Sequence, residues 1–139
     1  WQNWDAIFIA DGILYFVEAK AHKDEFKSGN KTHGGTHSNE ILNFMKTQFP
    51  EANDNWLKDY YQYANRLSTV SFLNSLGIRS KIVYICFIDG YDDKGKNICK
   101  NASQKDFEDK IEEEHKILGL AKDKLEEYEA PTVFVDARP

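Results

Sequence analysis

Two short apolar runs, Ala6–Ala10 and Ile13 to Val17, flank an Asp11-Gly12 pair near the start of the chain. Asp-Gly between such runs predicts a β-hairpin with a two-residue type I′ turn, because both central residues need positive φ. The register follows by counting: Ala10 faces Ile13, Phe8 faces Tyr15, Ala6 faces Val17 and Asp5 faces Glu18. Directly opposed residues point to the same side of an antiparallel pair. Lys20, two positions past Glu18, shares that side. Downstream the pattern turns helical. Ile41, Leu42 and Met45 predict a short helix from Asn39 to Phe49, capped by Ser38 and ended by Pro50. Trp56, Tyr60, Tyr63, Leu67 and Val70 predict a longer helix from Asp54 to Leu76, closed by Gly77. KIVYICFID, from Lys81 to Asp89, reads as a central strand buried on both faces. Ser103 caps a further helix, Gln104 to Leu118, with Phe107, Ile111, Ile117 and Leu118 as its apolar side. A helical piece from Leu120 to Tyr128 and a strand from Thr132 to Asp136, opened by Pro131, complete the pattern.

A chain of 139 residues, 41% hydrophobic, has enough material for one domain with a real core, and no linker or repeat divides it. It has no apolar run long enough for a membrane span and no signal-peptide pattern. The net charge of −5 counts against a broad basic face, although a local basic strip can serve a nucleic acid. Cys86 lies in an apolar run and Cys99 in a polar one, without motif spacing, which fits a reducing cytoplasm.

The chemistry concentrates at the open end of the hairpin. Two carboxylates side by side repel each other unless a cation sits between them or one is protonated. Such oxygen ligands suit Mg²⁺, which takes one or two carboxylates and leaves other positions to water and phosphate. A neighbouring lysine can hold a phosphate or stabilise developing charge. Asp5, Glu18 and Lys20 therefore form a candidate site for metal-assisted phosphodiester hydrolysis. His22 shares their side by parity and is a candidate general acid or base. From His22 to Asn39 the chain carries Lys23, Lys27, Lys31, His33 and His37 among Gly29, Gly34 and Gly35, and reads as a loop whose basic residues face a phosphate backbone or plain solvent. His33 and His37 have the spacing of a two-histidine metal site, but the glycines between them oppose the helix it needs. The polar side of the long helix carries Lys58, Gln62, Asn65, Arg66 and Thr69. The run Glu112-Glu113-Glu114-His115 reads as a solvated helix face.

Asp5 followed by Glu18-Ala19-Lys20 resembles the D…(D/E)xK signature of the PD-(D/E)XK nuclease superfamily, with Trp4 in place of the proline of the name. The wording NWDAIFIADG, VEAKAH and YYQYANRLSTVSFL is also similar to uncharacterised bacterial members of that group. The resemblance covers about Trp1 to Asp89. It implies an α/β (α+β) restriction-endonuclease-like fold, a mixed β-sheet flanked by helices. It implies Mg²⁺ or Mn²⁺ held by Asp5, Glu18 and the Ala19 carbonyl, with Lys20 beside the attacking water. It further implies that Gln62 or Arg66 reaches the site, and that nucleic acid, DNA foremost, is the partner. The resembled fold places a helix and a strand ahead of the hairpin, and many members carry a further glutamate there; either these elements lie outside this chain or the domain has lost them.

A module of the same fold without activity, binding nucleic acid or a protein, is the alternative; the intact trio of Asp5, Glu18 and Lys20 speaks against it. A ribonuclease-H-like phosphoesterase would need acids on more elements than this chain offers. A homodimer through an exposed strand or helix is compatible with the sequence.

Overall fold

The computed structural model describes residues 2–28, 36–89 and 102–137. The hairpin forms in the expected register, from Ala10↔Ile13 to Ala6↔Val17, joining β1 (Ala6–Ala10) to β2 (Ile13–Lys20). Asp11 and Gly12 both take positive φ, 50° and 70°. Glycine suits the second position through its backbone. Its φ is left-handed, and a Cβ there would come within 2.8 Å of Arg79 Nη2, which itself donates to the Asp11 carbonyl at 3.3 Å.

Beyond the hairpin the sheet is parallel. β2 pairs with β3 (Ser80–Ile88) from Leu14↔Ser80 to Lys20↔Cys86, and β3 pairs with β4 (Val133–Asp136). The strand order is β1-β2-β3-β4, so the chain has a mixed four-stranded sheet with helical crossovers, an α/β fold. The crossover from β2 to β3 contains α1 (Thr36–Gln48) and α2 (Tyr61–Ser75), and the one from β3 to β4 contains α3 (Gln104–Leu118) and the short α4 (Lys122–Leu125). Phe16, Ile82, Tyr84 and Cys86 of the sheet join Trp56, Tyr63, Leu67, Val70, Phe107 and Leu118 in one core. β1 is an edge strand, and Ile7, Phe8 and Ile9 are exposed.

Several elements differ from expectation. α1 begins at Thr36, two residues ahead of Ser38, so Ser38 is a buried residue within the helix and not its cap. It shares the side of Leu42 and Met45, at the spacing of a buried stripe. The expected long helix is broken. Asp54–Leu57 forms a 3-10 turn and the α-helix starts only at Tyr61. The turn is fastened locally by Asn53, whose side chain accepts from Asn55 N–H, and at a distance by Trp56, whose indole donates to the Leu118 carbonyl at 3.0 Å. The aromatic stripe nonetheless lands in the core, with Trp56, Tyr60, Tyr63, Leu67 and Val70 all buried.

α2 ends as predicted. Gly77, at φ 82°, donates to Asn74 O and Ile78 donates to Leu73 O, the paired bonds of a Schellman close. β3 is buried on its helix side from Ser80 to Cys86; on the other, Val83 is covered while Ile85 and Phe87 are partly exposed. α3 carries the expected cap, with Ser103 and Asp106 bonding reciprocally. Its inward positions are Phe107, Ile111, Glu114 and Leu118, and Ile117 is exposed. α4 covers less than the expected Leu120 to Tyr128, because the chain turns after Leu125 to bring Glu129 and Ala130 against Ile82. Among the described residues, no helix is long and apolar enough to cross a membrane. Gly29, Lys31, His33, Gly34, Gly35 and Cys99 lie outside the described residues.

Candidate active site

The pleat of β2 sends Glu18 and Lys20 to the same, helix-covered side of the sheet. Each is only 5% exposed. A buried carboxylate is tolerable only when it is paired and hydrogen-bonded, and Glu18 is paired twice. Lys20 Nζ lies 2.6 Å from its Oε1, and Arg66 of α2 forms an ion pair with its Oε2. The Lys20 ammonium also donates to the Glu25 carbonyl at 3.2 Å and stands 5.5 Å from the Phe26 ring centre. Lys23–Phe26, a single 3-10 turn, thus closes over the lysine.

Arg66 is buried, not on a solvated face. Its guanidinium donates to the Asn3 carbonyl at 2.5 Å and stacks over Trp4 at 4.8 Å. With its amide oxygen turned toward the guanidinium, Gln62 accepts from Arg66 at 2.8 and 3.0 Å. The structure therefore brings Glu18, Lys20, Gln62 and Arg66 together.

Asp5 stands differently. The ladder stops at Ala6↔Val17, and Asp5 lies just beyond it in a bend, exposed. Its backbone N–H still donates to Val17 O at 3.2 Å, while its carboxylate Oδ2 accepts the Ala19 N–H at 2.8 Å. The side chain takes over where the partner strand has run out of carbonyls. The two acids are consequently held by different partners, one in the core and one at the rim. The positive charge that neutralises Glu18 comes from the chain's own Lys20 and Arg66, where the sequence led us to expect a metal ion between two adjacent carboxylates.

The surrounding basic residues are engaged with acids. His22 Nε2 lies 3.4 Å from Glu25 Oε1, Lys23 Nζ 3.8 Å from Asp106 and Lys27 Nζ 3.5 Å from Glu113. Lys23 and Lys27 thus tie the segment after β2 to α3. His37 is exposed on α1, beside Glu40.

Glu114 was missed by the sequence reading, which placed it on a solvated face. It is fully buried, and its Oε1 accepts from Tyr84 Oη at 2.8 Å. Tyr84 is the β3 neighbour of Glu18. Burial above all, with Glu129 adding negative charge, holds the Glu114 carboxyl well above the usual carboxylate range, and burial likewise raises the Tyr84 phenol. The signal was present in the spacing: position 114 falls on the helical stripe of Phe107, Ile111 and Leu118. Beside it, Tyr63 donates to Glu129, whose Oε1 also lies 3.1 Å from His115 Nε2. Cys86, the strand partner of Lys20, is a buried free thiol pushed up to about 12 by burial, so it stays protonated and unreactive.

Asp5, the Ala19 carbonyl and Glu18 are hard oxygen donors of the kind Mg²⁺ and Mn²⁺ take. In a strand a residue's N–H and C=O leave on the same side, so the Ala19 carbonyl faces the same edge as the N–H that Asp5 accepts. The donor types fit a hard divalent ion, provided that Glu18 releases a cation it now holds. Among the described residues, no group of three or more His, Cys, Asp or Glu side chains is placed to hold a metal. No family model, curated protein or solved structure matches the chain.

Proposed function

We propose that this chain is a metal-dependent nuclease that hydrolyses phosphodiester bonds, with DNA as its substrate, on a restriction-endonuclease-like sheet. The observation that carries the reading is the Glu18–Lys20 pair at 2.6 Å on the covered side of β2, with Arg66 of the following helix on the second oxygen of Glu18. The resemblance implies a Gln, Lys or Arg from that helix at the site, and Gln62 and Arg66 fit the description. Asp5, Glu18 and the Ala19 carbonyl are the residues that would hold Mg²⁺ or Mn²⁺. When bound, such an ion offsets phosphate charge and makes a coordinated water more acidic. Lys20 orients the phosphate and stabilises the charge that develops on it. Arg66 and Gln62 fix the orientation of Glu18. His22, Lys23 and Lys27 meet the flanking phosphates once drawn from Glu25, Asp106 and Glu113. A free buried Cys86 supports placing the protein in the cytoplasm.

The test is incubation of the purified chain with plasmid, single-stranded and branched DNA, and with RNA, in Mg²⁺ and in Mn²⁺. DNA cleavage that disappears in Asp5→Ala and in Lys20→Ala is the expected result. Wild-type protein that leaves every one of these substrates intact, with both ions, would falsify it.

One observation favours a second reading, a nuclease-like module that binds nucleic acid or a protein without cutting. Both oxygens of Glu18 are held by cations of the chain itself, and the carboxylate is buried. Retention of labelled DNA in a gel, with no cleavage product, would support this second reading.

A further inference from the structure

Glu114 has an unused oxygen. Its Oε2 is buried and makes no hydrogen bond, while Oε1 is taken by Tyr84. An unsatisfied buried carboxyl oxygen is costly. The residue occupies a position in the α3 stripe where an apolar side chain would pack without that cost. Lys20 presents the complementary gap. An ammonium has three N–H donors, and the hydrogen bonds of Lys20 use two, on Glu18 Oε1 and the Glu25 carbonyl. The two groups stand on one wall. Phe26 lies under the Lys20 ammonium, and its ring contacts both Tyr84, at 5.2 Å, and Phe107 of α3, at 6.3 Å. Lys20 and Glu18 are among the charges that act on Glu114.

We propose that Glu114 is a second seat for Lys20: when Glu18 is drawn away, the ammonium exchanges its bond to Glu18 Oε1 for one to Glu114 Oε2. The lysine keeps its protons; the proton that burial holds on the Glu114 carboxyl passes to solvent as the ammonium arrives, so one O–H bond breaks and the pair that forms is charge-assisted. Glu114 is a positioning residue that lets Glu18 be released without stranding the Lys20 ammonium, while Arg66 keeps its bond to the Asn3 carbonyl. Tyr84 holds its carboxyl in place through Oε1. The inference rests on the reading of Glu18 as a working carboxylate in so far as it says why the exchange matters; the exchange itself stands on the lysine and the two acids.

Two measurements on the full chain test it. The first follows the Lys20 side-chain ammonium by nitrogen-15 NMR, with Lys20→Met fixing the assignment. In Glu18→Gln the Lys20 signal is expected to persist, protected from exchange with water, because Glu114 receives it. In Glu18→Gln with Glu114→Gln it is expected to vanish. Equal protection in the two variants overturns the proposal, and so does loss of the signal in Glu18→Gln alone. Glutamine at 114 keeps the shape and the acceptor for Tyr84, so a merely structural role would leave the two spectra alike. The second measurement is calorimetry with Mn²⁺ alone. Glu114→Gln is expected to weaken Mn²⁺ binding about tenfold, the worth of one charge-assisted hydrogen bond. Unchanged affinity overturns the role of Glu114 in freeing Glu18. Absence of Mn²⁺ binding in the wild type sinks the metal reading instead, and the NMR comparison still decides on the exchange.

Discussion

Asp5 and Glu18 terminate the same hairpin, one residue beyond the last ladder pair on each strand, and they live in opposite surroundings. Asp5 lies in water at the rim and spends one oxygen on a backbone N–H. Glu18 lies in the core between two cations. The rim acid can change partner at little cost, because water replaces whatever it loses. The core acid can change partner only if another charge moves with it. A site built from one of each has a labile half and a locked half, and the locked half sets how hard it is to open.

The contrast is sharpest in stability. Glu18→Ala leaves Lys20 and Arg66 buried without their anion and should lower unfolding free energy by about 3–5 kcal/mol, as removal of one partner from a buried pair does. Urea titration followed by tryptophan fluorescence measures it, and a loss below about 1 kcal/mol, the usual size for an exposed pair, would show that the core acid is no more locked than the rim one. Arg66→Ala comes next, at about 3 kcal/mol, the low end of that range because Lys20 continues to neutralise Glu18.

Glu114 adds a pH dependence. Burial holds its carboxyl well above the ordinary value of 4.5, so above that pH the folded form binds more protons than the unfolded chain does. Stability must then fall as pH rises from about 4.5 toward neutrality. Glu114→Gln removes this slope. Urea midpoints taken at acid and at neutral pH should therefore favour the variant increasingly as pH rises, and a difference that stays constant with pH would show the acid to be ordinary.

The smallest stability effect belongs to the rim. Asp5→Asn retains an oxygen for the Ala19 N–H and should shift stability by no more than about 0.5 kcal/mol. The same variant should abolish metal-dependent cleavage under the proposed function. A large stability loss with activity kept would reverse the roles of the two acids.

The sequence was most legible where backbone geometry decides. Asp11-Gly12 pointed to the hairpin register because both residues accept the positive φ of a two-residue turn, and Gly77 marked the end of α2 for a similar reason. The aromatic stripe from Trp56 to Val70 reached the core even though the helix carrying it is interrupted, since burial follows side-chain chemistry more closely than it follows helix continuity. Legibility failed where a long polar side chain bridges elements. Arg66 was named with Gln62 as a residue reaching the site, but nothing in the polar pattern of its helix foretold that it would be buried there as the counter-ion of Glu18. Glu114 was assigned to solvent on its charge, although its spacing with Phe107, Ile111 and Leu118 placed it inside. Charge type is a weaker guide to position than periodicity when a tyrosine is on hand to satisfy one oxygen.

The Arg66 guanidinium has one more consequence. It grips the Asn3 carbonyl and the Trp4 ring with the same planar head that it sets against Glu18. The leader into the hairpin is thus buckled to α2 through the group that balances the innermost acid. The leader and the innermost acid therefore share an anchor, and Gln2, which donates to the Asn65 carbonyl and to Thr69, fastens the same leader to α2 a second time.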